Sequence, residues 1–309
     1  MKKNPKIVAV TAAMAEGNCL GQIAFEFPSR FFDVGICEEH ATTFAAGLAT
    51  QGFLPVVAIY STFMQRAFDQ LIHDVCIQDL PVVIAMDRAG IVGDDGKTHQ
   101  GIFDLSYLGL IPNLVVVAPK DGSDLRQLMI EATTIGHPIA IRYPRSQTPE
   151  SCMPETDEKA RIGQAEILRT GTDITLLAIG TMCFPALDAA RILSGLDIEA
   201  SVINVRYVKP FDTQVIIQAC QRSGRVITIE ENVLAGGFGS SLTQYLHNSG
   251  FDTIKVRCVG IPNQFVEHGP RHVLQAKLGL DASGIVRCVL ESFPELQVNR
   301  PSRQEASVN

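Results

Sequence analysis

Short apolar runs rich in β-branched residues recur along this chain at spacings that leave room for a helix between many of them. In the first half they fall at residues 7–11, 31–36, 55–60, 82–87, 114–118 and 139–143. Residues 38–51, 62–79 and 122–136 carry apolar side chains at helical spacing instead. A strand apolar on both faces suits a parallel sheet covered by helices, and parallel neighbours need a crossover of helical length. Asp121-Gly122-Ser123-Asp124 supplies a cap and an early acid for the last of these helices. Residues 147–159 are then polar and contain two prolines, which marks a linker. A second alternating series follows, with strands expected at 174–179, 199–205, 226–230 and 253–258, and helices at 185–194, 212–222, 238–248 and 272–277. The expected fold class is α/β, with two domains that each hold a largely parallel sheet flanked by helices. The expected division is a first domain over 1–148, a linker over 149–161, a second domain over 162–295 and a flexible polar tail over 296–309.

Composition narrows the partners. Apolar residues make up 46% and charged residues 19%, enough apolar side chains for two packed cores. The formal charge is −7, which gives no general attraction to nucleic acid or to anionic membranes. Any bound phosphate must therefore be held by a local group of cations. No apolar run approaches the roughly 20 residues that span a bilayer, and the start Met1-Lys2-Lys3-Asn4-Pro5 leads straight into the first strand without a secretory apolar region. The eight cysteines form no C-x-x-C pair and mostly lie in apolar stretches. Reduced thiols in a cytoplasmic protein are expected, not disulfides or zinc.

Ligands of open α/β sheets collect beyond the carboxyl ends of the strands. After 31–36 the chain reads Cys37-Glu38-Glu39-His40, and after 55–60 it reads Ser61-Thr62-Phe63-Met64-Gln65-Arg66. After 82–87 come Arg88 and a glycine-rich loop containing Asp95 and His99; after the last strand comes Pro144-Arg145. Three strand ends thus carry an arginine and two carry an acid or base, a constellation suited to an anionic substrate.

These residues also carry a specific resemblance. D-V-G-I-x-E-x-H-A-x-T-F-A-A-G-L-A (33–49), A-I-Y-S-T-F-x-Q-R-A-x-D-Q (58–70), D-R-A-G-x-V-G-x-D-G-x-T-H-Q-G (87–101) and E-E-N-V-x-A-G-G-F-G-S (230–240) stand in order and in register. Together they resemble the 1-deoxy-D-xylulose-5-phosphate synthases, thiamine diphosphate enzymes of the transketolase type, from about residue 5 to residue 290. The resemblance implies that the first domain binds the aminopyrimidine of thiamine diphosphate and that the second mainly supports assembly.

It also implies roles. Thiamine catalysis needs a proton removed from a poorly acidic ring carbon, and a carboxyl group on the pyrimidine ring nitrogen promotes this by favouring the imino tautomer. A carboxyl at a helix start in an apolar pocket suits that task, because burial favours its protonated form. Glu38, three residues after Gly35, matches the family's glutamate. Glu39 stands where the synthases usually have glutamine and fits better as an acid offsetting the helix dipole. Phe63 matches the aromatic residue that stacks on the aminopyrimidine. Tyr60, Arg88 and Arg145 match positions around the phosphate of glyceraldehyde 3-phosphate, where a rigid guanidinium fork suits phosphate oxygens. Ser146 replaces the usual glycine after Arg145. Asp95 and His99 match the pair that contacts the acceptor's hydroxyl and carbonyl groups, and His99 can pass protons near neutrality. Arg66 matches the synthases with a less defined role in substrate binding. His40 and His73 are expected in the scaffold, His247 and His272 at the surface, and His268 in the second domain's own structure. Gly236-Gly237-Phe238-Gly239 lacks the full dinucleotide fingerprint and is expected to pack, not to bind a nucleotide.

One feature of the family is missing from the sequence. Such enzymes hold the cofactor diphosphate through Mg²⁺ bound by a Gly-Asp-Gly segment and a later asparagine, and this chain has no such segment. No metal ligand is therefore expected here. The expected cofactors are thiamine diphosphate and Mg²⁺, with the metal ligands on an N-terminal half or partner subunit. The implied activity is one half of a split 1-deoxy-D-xylulose-5-phosphate synthase-like enzyme acting on pyruvate and glyceraldehyde 3-phosphate, as a homodimer or heterotetramer. A split transketolase moving ketol units between phosphorylated sugars is the alternative, and a non-catalytic regulatory paralogue a further one.

Overall fold

The computed structural model describes residues 1–147 and 162–298. The expected linker over 149–161 lies outside the described residues, as do positions 299–309 of the expected tail. Six strands form in the first part: β1 (Ile7–Thr11), β2 (Phe31–Asp33), β3 (Leu54–Tyr60), β4 (Val83–Asp87), β5 (Val115–Val117) and β6 (Ile139–Arg142). The second part holds β7 (Glu166–Arg169), β8 (Ile174–Ala178), β9 (Ala200–Asn204), β10 (Tyr207–Lys209), β11 (Arg225–Val233) and β12 (Lys255–Ile261). The first sheet has the order β10-β5-β6-β4-β3-β1-β2, and the second β12-β11-β8-β9-β7. Pairings are parallel except at one edge of each sheet, where β10 and β7 run antiparallel to β5 and β9.

The expected α/β fold with two largely parallel sheets is therefore present, with differences in detail. The strand expected over 31–36 ends at Asp33: after a last ladder bond from Val34 to Thr11, the Asp33 carboxylate accepts the Gly35 N–H and the chain turns at Gly35 (φ 75°). The helix expected over 62–79 is broken into an α-helical turn (Ser61–Met64), a 3₁₀ turn (Gln65–Ala67), a short α segment (Phe68–Gln70) and a π-helical stretch (Leu71–Cys76). The first sheet gains a strand from the second half, β10, which the sequence did not mark. Finally, positions 296–298, placed in the expected flexible tail, belong to the helix Glu295–Val298, with Leu296 buried against the second core.

The helix Glu38–Thr50 shows why the first sheet packs closely. Its buried residues Ala41, Ala45 and Ala49 recur every four positions, so the small side chains line one stripe and let the backbone approach β3. One cluster of buried apolar side chains runs from Val57, Ile84 and Met86 in the first sheet through Leu177, Ile203 and Val205 to Phe238 in the second. The two units therefore share a core. No helix among the described residues is long and apolar enough to cross a membrane.

At the glycine-rich turn 236–239 the chain supplies its own anion. The Glu230 carboxylate accepts the backbone N–H groups of Phe238 and Gly239, both at 2.8 Å. These amides begin the helix Phe238–Asn248, where a bound phosphate would otherwise be held. Burial pushes the Glu230 carboxyl up to about 7, against the pull of those two amides. A carboxyl raised on folding favours the native state most below its unfolded value near 4.5, and that contribution is lost as pH rises through about 7. Between pH 5 and 8 the wild type should therefore lose on the order of 3 kcal/mol relative to Glu230→Gln. Denaturant titrations of both proteins across that range check this; parallel pH profiles would rule it out.

Candidate active site

The candidate residues gather at the carboxyl ends of the adjacent strands β3, β4 and β6 and at the start of the helix Glu38–Thr50. Glu38 is buried, whereas Glu39 beside it is exposed. Helix geometry turns consecutive residues by about 100°, so only one of the two carboxylates can face inward. The Glu38 carboxylate accepts from Arg66 Nη1 at 2.5 Å. Arg66 in turn lies over the Phe63 ring, 4.8 Å from its centroid. The end of β3 and the broken helix after it thus bring Tyr60, Phe63 and Arg66 to one side of Glu38. The rings of Tyr60 and Phe63 are nearly parallel, with centroids 5.5 Å apart, and His99 meets Phe63 edge-on at 5.4 Å.

Arg88 is held in a left-handed backbone conformation (φ 60°) just past β4. Such a backbone is unfavourable for a residue with a side chain. Asp87 offsets the cost: its carboxylate accepts both the backbone N–H and Nη1 of Arg88, each at 2.6 Å. Nη1 also donates to the Gly17 carbonyl at 3.1 Å, and the guanidinium lies 3.7 Å from the Tyr60 ring centroid. Burial raises the pKa of the Asp87 carboxyl even though the Arg88 charge opposes this, and burial likewise raises the Tyr60 phenol against the pull of Arg88. Arg145, past the end of β6, is exposed and pairs with Asp95 at 3.0 Å. Asp95 also stands 3.9 Å from Arg88 Nε. This carboxylate lies between two guanidinium groups, where a small anion would be attracted.

All the candidates, Glu38, Tyr60, Phe63, Arg66, Arg88, Asp95, His99 and Arg145, are linked through these contacts. Sequence reading missed their supports. Gly17 and Asp87 hold Arg88; the acid immediately before a strand-end arginine was the available signal for Asp87. Beneath the site, Ser61 Oγ donates to Asp104 at 2.8 Å, and Asp104 forms a fully buried ion pair with Arg142 at 3.1 Å. His268, expected to serve only its own domain, faces the loop around Gly96.

A buried carboxylate, Glu38, beside a partly buried aromatic ring, Phe63, is a pair of groups that suits a flat, nitrogen-containing ring such as the pyrimidine end of thiamine diphosphate. No cluster of three or more His, Cys, Asp or Glu side chains among the described residues could hold a metal ion.

Comparison with known proteins identifies the family. Residues 1–151 match the pyrimidine-binding domain of transketolase and residues 163–285 its C-terminal domain. The chain belongs to the transketolase family. Within that family it is similar to 1-deoxy-D-xylulose-5-phosphate synthase 1 of Geobacter sulfurreducens, at 54% identity over 287 residues, 92% of this chain and 45% of that protein. The 1-deoxy-D-xylulose-5-phosphate synthase of Dehalococcoides mccartyi is 52% identical over 291 residues, 94% of this chain and 45% of that protein. The chain thus spans a little under half the length of these curated relatives. Among solved structures, a split-gene transketolase described as an inactive β4 tetramer superposes with a TM-score of 0.84 at 34% identity, over 97% of this chain and 94% of that one. The transketolase of Campylobacter jejuni superposes with a TM-score of 0.77 at 21% identity, over 94% of this chain and 44% of that one, a likeness of fold.

Proposed function

We propose that this chain is the pyrimidine-binding and C-terminal part of a thiamine diphosphate-dependent 1-deoxy-D-xylulose-5-phosphate synthase-like transferase. It would act on pyruvate and glyceraldehyde 3-phosphate in the cytoplasm, together with a part that carries the diphosphate and Mg²⁺ site. The observation that carries this reading is the buried Glu38 carboxylate, fixed by Arg66 beside the Phe63 ring, which is joined through Tyr60 to the Arg88–Asp95–Arg145 group. The curated relatives named as synthases support the choice of reaction. Assembly as a homodimer, or as a heterotetramer of two copies of each part, follows from the same reading.

When bound, thiamine diphosphate would supply the carbon nucleophile and the electron-accepting ring that decarboxylation of a 2-oxo acid needs. This chain's residues do the rest on their side. Glu38 shares a proton with the pyrimidine ring nitrogen, and Arg66 keeps the carboxylate aimed there. Phe63 supports the ring and excludes water from one face. Arg88 and Arg145 receive the acceptor's phosphate, which displaces Asp95 from Arg145 and frees that carboxylate for the acceptor's hydroxyl groups. His99, touching the Phe63 ring, is placed to give or take a proton at the aldehyde oxygen.

The test is carbon dioxide release from pyruvate with glyceraldehyde 3-phosphate, thiamine diphosphate and Mg²⁺. It is run on this chain alone and with the part bearing the diphosphate site. Release only with both parts is the expected result. The likeness to a split-gene transketolase favours a second reading, ketol transfer between sugar phosphates. Transfer from sugar phosphates without use of pyruvate would replace the first reading by the second. A stable complex silent with every donor would overturn both and leave a regulatory paralogue.

A further inference from the structure

The loop over residues 90–101 carries Asp95 and His99, yet much of what holds it comes from the second domain. Its neck is closed by Gly90 and Gly101, which exchange backbone bonds of 2.6 and 2.8 Å. The flanking side chains Ile91 and Ile102 are buried in the second sheet's core with Ile227, Ile229 and Val233. Above the neck, Arg271 Nε donates to the Ile91 carbonyl at 3.0 Å. Arg271 is itself fixed by the buried Glu231 carboxylate, at 2.8 and 3.1 Å from Nη2. Gln275 braces the same carboxylate at 2.8 Å. On the other limb, Gln100 accepts the Val92 N–H at 2.7 Å and donates to the Glu267 carbonyl at 3.1 Å.

Against the second domain the loop has no room for a side chain at two points. A Cβ at Gly90 would collide with the Glu231 carboxylate, and one at Gly93 (φ 86°) would stand 2.7 Å from the Gly269 carbonyl oxygen. A loop with glycines at 90, 93, 96 and 101 loses more backbone freedom on ordering than most. Bonds from outside must therefore select one conformation among many.

We infer that Arg271, held by Glu231, is a positioning residue: it fixes the 90–101 loop from the second domain and so sets where Asp95 and His99 meet the substrate. The second domain is thereby part of the acceptor site's construction as well as a support for assembly. The inference rests on the reading of Asp95 and His99 as acceptor-facing groups. Its geometric half stands apart from that reading, and the two halves are measured separately.

Arg271→Lys keeps a cation facing Glu231 while removing the Nε donor to Ile91. Backbone hydrogen exchange of this chain should show amides in the 90–101 loop exchanging about tenfold faster in Arg271→Lys, the effect of roughly one lost hydrogen bond. Exchange in β1, β3 and β4 should be unmoved. In the assembled enzyme the acceptor KM should rise about fivefold or more with the donor KM unchanged. A purely structural residue would instead lower kcat through loss of active protein and leave both KM values alone. Unchanged loop exchange overturns the inference, and so does faster exchange with an unmoved acceptor KM. If the wild-type assembly turns over no donor, the functional reading fails, and loop exchange alone decides for or against the positioning by Arg271.

Discussion

Replacing Glu38 with glutamine in the assembled enzyme is expected to lower turnover by about 10²–10⁴-fold, the range of a lost acid–base group. Glutamine keeps the size of the side chain and an oxygen to accept from Arg66, so assembly and folding should persist. What it removes is the capacity to give and take a proton at that position. The neighbouring Glu39 provides the internal comparison: it is exposed, and Glu39→Gln should change turnover by no more than about twofold, as surface substitutions away from a site do. Steady-state kcat of the two variants under saturating substrates settles the matter. Near-wild-type turnover of Glu38→Gln would remove Glu38 from the chemistry; a large loss in Glu39→Gln would transfer the role to its neighbour.

The second large effect concerns stability. Asp104 and Arg142 form an ion pair with 0% and 5% of their side chains exposed. Arg142 also donates to the Glu231 carbonyl at 3.2 Å, and Asp104 accepts from Ser61, the residue that opens the turn carrying Phe63. Asp104→Ala leaves the buried Arg142 guanidinium without its paired carboxylate. It should destabilise the protein by about 3–5 kcal/mol, the usual cost of breaking a buried pair. The double change Asp104→Leu with Arg142→Met should recover much of that loss, because desolvating the pair is itself costly. Denaturant midpoints of the single and double variants provide the measurement. A single-variant loss below about 1 kcal/mol would mean that water reaches Arg142, contrary to its burial.

The fold was legible in the sequence where one physical signal dominated. Apolar runs such as 82–87 and 174–179 can be buried on both faces only inside a covered sheet, and both became central strands. The stretch 61–76 shows the limit of that signal. Met64, Ala67, Leu71 and Val75 are all buried, as a helix requires, yet the hydrogen-bond rings change from α to 3₁₀ to π. Spacing of apolar residues reports which side faces the core and is nearly blind to a turn that is tighter or wider by one residue. The short strand Tyr207–Lys209 was invisible for another reason: its pairing partner lies some ninety residues upstream, in the other unit.

The candidate site divides along the same line. Glu38, Phe63, Arg88 and Arg145 stand in motifs at strand ends, where topology places ligands. Asp87 was adjacent to one of them and could have been found. The Arg271–Ile91 bond joins positions 180 residues apart, and no local pattern marks either end.

The strand Tyr207–Lys209 also decides what a break in the chain can do. It covers the edge of the first sheet at Val115–Val117, and Lys209 fastens it by donating to the carbonyls of Gly109 and Ile111. A protease cutting anywhere between 147 and 162 would therefore sever the polypeptide without parting the two pieces. Conversely, a gene encoding only the first 148 residues would present three bare valines on an open sheet edge, a template for pairing with its own copies. The border of the first sheet in this chain is thus built by the second unit, and the two are structurally interdependent.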